Sequence, residues 1–139
     1  MKHEHSRRLW RSSAVAVAIT GAVFAGSALA AGNSVRVKLQ GTPKAGKRYG
    51  FVITGNAVRN ARLYLFVDYV RCGPNPAVEH ARANGNIWTV RGRFTRTSTG
   101  WSSKVRGADH ACVYLTKRSA KRNGAHGVLA HAFLTYQVR

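Results

Sequence analysis

Val35-Arg36-Val37-Lys38-Leu39 alternates apolar with basic side chains, and Trp88-Thr89-Val90-Arg91-Gly92-Arg93-Phe94 repeats the pattern. A period of two belongs to a strand with one dry and one wet face. Between them, Tyr49-Gly50-Phe51-Val52-Ile53-Thr54 is rich in aromatic and β-branched residues. Leu63-Tyr64-Leu65-Phe66-Val67-Asp68-Tyr69-Val70 is apolar on both faces, as a central strand is. Three more candidates follow: a short one over residues 101–105, a strong one at Ala111-Cys112-Val113-Tyr114-Leu115-Thr116, and a long one over residues 128–138. Turn chemistry separates these seven strands at Gly41-Thr42-Pro43, Gly55-Asn56, residues 97–100, Gly107-Ala108-Asp109 and Asn123-Gly124. The expectation is an all-β fold, a two-sheet sandwich of about seven strands. One segment departs from it: Asn75-Pro76-Ala77-Val78-Glu79-His80-Ala81-Arg82-Ala83-Asn84-Gly85 has a cap residue, proline at the first helical position and an Asn-Gly stop. It reads as a short helix.

The N-terminus sets the compartment. A basic start containing Arg7, Arg8 and Arg11 precedes a run without charge from Ala14 to Ala31, and Ala28-Leu29-Ala30 supplies the small-x-small pattern of a signal-peptidase site. Residues 1–30 read as a secretory signal peptide cut after Ala30. A retained membrane anchor is the rival use of the same run. Glycines and many alanines dilute the run, and the cleavage pattern follows at once, which favours removal. Ser6-Arg7-Arg8-Leu9-Trp10 resembles a twin-arginine export signal, so both export routes stay open. Residues 31–139 then form a single secreted or envelope-associated domain with no membrane span.

Both cysteines, Cys72 and Cys112, lie in the exported part. Outside the cytosol they are expected to pair, and closing that loop contributes roughly 4 kcal/mol by chain entropy. Two thiols without CxxC spacing do not suggest a metal site, and no cofactor motif occurs.

Of 23 Lys and Arg and four Asp and Glu, the leader holds Lys2, Arg7, Arg8, Arg11 and Glu4. The exported domain keeps 19 cations against Asp68, Glu79 and Asp109, an excess that must face water or an anionic partner. High-GC coding produces such an arginine-rich bias without selection for binding, so a merely solvated cationic surface is the alternative reading. Each acid has an ordinary structural use: Asp68 within a strand, Glu79 in the first turn of the helix, Asp109 in a turn. His80, His110, His126 and His131 are scattered, with His110 and His131 the one pair worth testing for a metal. No Gly-x-Ser-x-Gly elbow and no phosphate-cradling glycine loop is present, so no enzyme is expected.

The basic residues carry the functional reading. Lys117-Arg118-Ser119-Ala120-Lys121-Arg122 places four cations in a loop flexible enough to fit teichoic acid, anionic polysaccharide or, without sequence preference, nucleic acid. Arg91 and Arg93 share one face of their strand, as Arg36 and Lys38 do on theirs, and either pair extends a cationic stripe if it lies beside the loop. Trp88, Trp101 and Tyr136 serve as core or as stacking surfaces.

Pro43-Lys44-Ala45-Gly46 leading into the 49–54 strand, with the late Cys112-Val113-Tyr114-Leu115 strand, resembles secreted immunoglobulin-like sandwich domains of high-GC Gram-positive bacteria. The antibody disulfide does not carry over, because Cys72 ends the third strand and Tyr114 follows its cysteine. The resemblance implies a non-enzymatic adhesive or structural module. A small carrier with an apolar ligand between its sheets is the alternative.

Overall fold

Two unusually long strands dominate the architecture. The computed structural model describes residues 27–28, 32–83, 85–119 and 127–139. Its elements follow as β1 (Ser27–Ala28), β2 (Ser34–Gln40), β3 (Tyr49–Asp68), α1 (Pro76–Arg82), β4 (Gly85–Trp101), β5 (Gly107–Lys117) and β6 (Val128–Val138). Every pairing is antiparallel, and hydrogen bonds join all six strands into one sheet. The fold is all-β with one short helix after Cys72, as the sequence indicates.

The expected strand count changes because three of the seven segments merge or dissolve. The 49–54 and 63–70 runs are the two ends of β3, so Gly55-Asn56 is strand rather than turn. Residues 97–100 belong to β4, and Gly107-Ala108-Asp109 opens β5. Trp101 ends β4, and no strand runs through residues 102–106. Gly55 shows why turn chemistry misleads here. A Cβ on it would lie 2.1 Å from the Ser34 carbonyl oxygen and 2.7 Å from the Phe94 ring, so the glycine serves close packing of neighbouring strands.

β4 takes one edge of β3 along nearly its whole length. The other edge is shared, by β2 against residues 50–56 and by β5 against residues 61–68. Between these halves the register slips from Ala57 to Ala61, leaving Val58, Arg59 and Asn60 bulged and exposed, while Gly92 opposite adopts φ +65°. A bulge of this kind bends a ribbon sharply. The bend is large: Ser98 donates to Asn86 Oδ1 at 2.6 Å, although twelve residues of straight strand would separate them by about 40 Å. The sheet is therefore sharply bent between the two halves of β3.

Between them lies one core. Val35 and Val37 of β2, Phe51, Ile53, Leu63 and Leu65 of β3, Val90 and Phe94 of β4, Val113 and Leu115 of β5 and Ala132 of β6 are buried in a single cluster. Phe51 meets Tyr136 and Trp101 edge-on at 5.6 and 6.2 Å, and the Tyr49 and Tyr136 hydroxyls are 2.6 Å apart. Beyond β2, the Ala45 N–H donates to the Arg139 carbonyl at 2.7 Å and the Arg139 N–H to that of Pro43 at 3.1 Å, fastening the last residue to the β2–β3 loop.

The two outer faces differ. On the β3–β5 side, Tyr64, Phe66, Cys112 and Tyr114 point away from the main core and form a second buried cluster, with Cys72, Ala83 and Phe133 packed on it. The segment bearing α1 covers them, held by the Cys72–Cys112 disulfide with Cα atoms 5.5 Å apart and by a hydrogen bond from the Tyr114 hydroxyl to the Gly73 carbonyl. Asn75 caps α1 as its sequence suggests, accepting from the Ala77 N–H at 2.9 Å, with Pro76 opening the helix and Glu79 buried in its first turn. Asn84 and the 123–124 turn lie outside the described residues, as does the leader apart from β1, which pairs with Ala130 and His131. No helix among the described residues is long and apolar enough to cross a membrane.

Candidate functional site

The other outer face, formed by β2, the first half of β3 and the second half of β4, carries the candidate site. Alternation sends Val35 and Val37 inward and Ser34, Arg36, Lys38 and Gln40 outward. Antiparallel register then places residues in cross-strand rows: Ser34–Asn56–Arg93, Arg36–Thr54–Thr95, Lys38–Val52–Thr97 and Gln40–Gly50–Thr99. Opposed residues of an antiparallel sheet share a face. The result is a surface of hydroxyls and amides crossed by Arg36, Lys38 and Arg93, with no acid in any row. Arg36 and Arg93 stand diagonally across β3 and flank a shallow depression of about 800 Å³, whose wall includes Ser34, Thr54, Asn56 and Thr95. The Asn56 amide donates to the Gly32 carbonyl, and the Val58 N–H to Asn33 Oδ1 at 3.0 Å, which fixes the end of the face nearest the bend.

Sequence reading paired Arg36 with Lys38 and Arg91 with Arg93. The fold brings the first pair and Arg93 to one surface. Arg91 is exposed beside the bend, where the opposite strand bulges out at residues 58–60. Lys117 and Arg118 are also exposed, and with Arg59, Asn60 and Asn33 they line a second groove of about 510 Å³. Because Asn33 adjoins Ser34, this groove abuts the cationic face. Lys121 and Arg122 lie outside the described residues.

Sequence reasoning missed the threonines, since Thr97 and Thr99 were assigned to a turn. The alternation Thr95-Arg96-Thr97-Ser98-Thr99 was the available signal. It also missed Arg59, whose bulge depends on pairing with β4 and is invisible locally.

The remaining candidates sort by position. Tyr136 is buried, and Trp88 and Trp101 pack partly buried against the core. The Trp101 indole N–H donates to the Ser98 hydroxyl at 2.9 Å. His110 and His131 occupy neighbouring strands four positions out of register, and His110 meets the Thr135 hydroxyl at 2.9 Å. Among the described residues no three His, Cys, Asp or Glu side chains group as metal ligands. Asp68 and Asp109 both line a rim pocket of about 680 Å³ with Tyr69, Trp101 and Ser103. Burial holds the Asp109 carboxyl above the usual carboxylate range, against the opposing pull of His110 and a hydrogen bond with Ser103, while the charge on Asp68 reinforces the rise. The buried Tyr49 and Tyr136 hydroxyls are likewise pushed up by desolvation. No protein-family profile, curated protein or solved structure matches this chain.

Proposed function

We propose that this chain is a secreted, non-enzymatic binding module, immunoglobulin-like in character, that holds to anionic polymers of the cell envelope through its cationic sheet face. The observation that carries the reading is the contrast between the two outer faces. One is apolar and covered by a disulfide-tied segment, whereas the other carries Arg36, Lys38 and Arg93 in cross-strand rows that contain no acid. A rigid sheet face presents its cations at fixed spacing, so binding them orders little that was mobile. The contact centre is accordingly the sheet face, with Lys117 and Arg118 as its extension across the bend rather than as the primary site. Capture proceeds by exchange of small counterions for Lys and Arg. The apolar-carrier alternative draws less support, because Tyr49, Phe51, Trp101 and Tyr136 fill the space between the two halves of the sheet.

Retention on an anionic polymer matrix tests this. The R36Q/K38Q/R93Q variant is expected to elute at distinctly lower salt than K117Q/R118Q/K121Q/R122Q, although the latter removes one more charge. Earlier elution of the loop variant would return the site to the loop, and elution in proportion to charge removed would mean that no site exists.

A further inference from the structure

Within this reading of a polyanion-binding face, on which the inference rests, we infer that the depression between Arg36 and Arg93 is a subsite for the phosphodiester group of a polyol-phosphate polymer. Arg36 of β2 and Arg93 of β4 line it from opposite sides of β3, together with Ser34, Thr54 and Thr95. Donors arranged around a point suit a tetrahedral oxyanion, which accepts from several directions. A carboxylate is planar, and one arginine fork satisfies it, so the second arginine and the hydroxyl bed would go unused.

The rest of the face selects the chain that bears the anion. Thr97 and Thr99 continue the hydroxyl row along β4, Gln40 and Lys38 continue the row along β2, and no aromatic side chain stands in any of the four rows. Bases of a single-stranded nucleic acid bind by stacking on exposed aromatic platforms, whereas Phe94, the aromatic that lines the depression, is buried. A polyol offers hydroxyls that the threonines and the glutamine can meet. Same-face residues of a strand repeat at about 6.7 Å, roughly the reach of a three-carbon phosphodiester repeat, so an extended chain lying along the strands brings one charge to Arg36 and the next to Lys38. The charge of such a polymer lies in its backbone and enters a shallow depression without a stalk, whereas a sulfated sugar carries its charge on a side arm.

Equilibrium binding of the purified chain to four polymers of matched charge separates the cases: poly(glycerol phosphate), polygalacturonate, dextran sulfate and a single-stranded oligonucleotide. Poly(glycerol phosphate) is expected to bind about tenfold more tightly than each of the others. The R36Q/R93Q variant should lose about tenfold or more toward it. K44Q/K47Q, which removes the same charge from the exposed β2–β3 loop, should lose only a few-fold. T54V/T95V, which removes hydroxyls and no charge, should lose several-fold toward poly(glycerol phosphate) and leave polygalacturonate binding unchanged, a readout that general electrostatics would not give. Equal losses for the two charge variants, an unchanged T54V/T95V, or a polycarboxylate, sulfate or oligonucleotide binding as tightly as the polyol phosphate would each overturn the subsite and leave the polyanion reading standing. Failure to bind any of the four at low salt would overturn that reading itself.

Discussion

Gly55 lies in the middle of β3 between two residues of the candidate face. Its missing Cβ lets the Ser34 carbonyl and the Phe94 ring approach, so Gly55→Ala forces atoms to within 2.1 and 2.7 Å of their neighbours. Overpacking of this kind costs about 1–3 kcal/mol, and a lowered midpoint in urea or on heating would register it. Two titrating residues act in opposite directions. Burial depresses the His131 imidazole, so the unfolded chain takes up its proton more readily than the folded one. Its contribution is in place above about 6.5 and drains away as pH falls through the depressed folded value. Asp109 is raised by burial, so its contribution is present below the ordinary carboxylate value and is lost as pH climbs through the raised folded one. His131→Gln is expected to flatten the stability profile on the acid side of 6.5, and Asp109→Asn to flatten it just above the ordinary carboxylate value. Unfolding midpoints measured across pH should show two separate changes, and a common shift of the whole curve would contradict both assignments. The cysteine pair was legible from two thiols in a segment whose N-terminal flank reads as a signal peptide. The hydroxyl rows were not, because threonine and glycine in series carry the same local signal in a turn and in an exposed strand.

At the scale of elements, the helix was readable and the long strands were not. Asn75 and Pro76 act within one turn of chain, so their meaning survives without knowledge of the fold. Whether Gly55-Asn56 ends a strand depends on what lies beside it, and β4 runs alongside both halves of β3, carrying the ladder across the point where a turn was expected. The same dependence hid the bulge at residues 58–60, where the ribbon bends. The Cys72–Cys112 bond closes a separation of 40 residues and holds the α1 segment over Tyr64, Phe66 and Tyr114. Replacing both cysteines by serine is expected to cost about 4 kcal/mol, read as a drop in the denaturation midpoint that reductant reproduces in the native chain. Because the candidate face lies on the other side of the sheet, the variant should keep its polymer affinity at temperatures where it remains folded. Loss of binding by a folded variant would show that the covered side takes part.

Charge is distributed unevenly over the molecule as a whole. Asp68 and Asp109 sit at one rim pocket and Glu79 is buried in α1, so none of these three acids stands in the cross-strand rows of the β2–β3–β4 face. Net charge was plain from composition, but the placing of Arg36, Lys38 and Arg93 on one face follows from register and needed the fold. Three engaged cations imply that the logarithm of affinity falls with the logarithm of salt with a slope of about −2 to −3 from this face. R36Q/K38Q/R93Q should remove about that much of the slope, and a slope unchanged by the triple variant would place the contacts elsewhere. The most direct measurement is a map of amide chemical-shift changes as poly(glycerol phosphate) is titrated into the isotopically labelled chain. Changes are expected to gather on residues 34–40, 50–56 and 93–99 and to fade with added salt. Changes centred on residues 117–119, or spread over every exposed Lys and Arg alike, would contradict the claim that the β2–β3–β4 sheet face is the binding site.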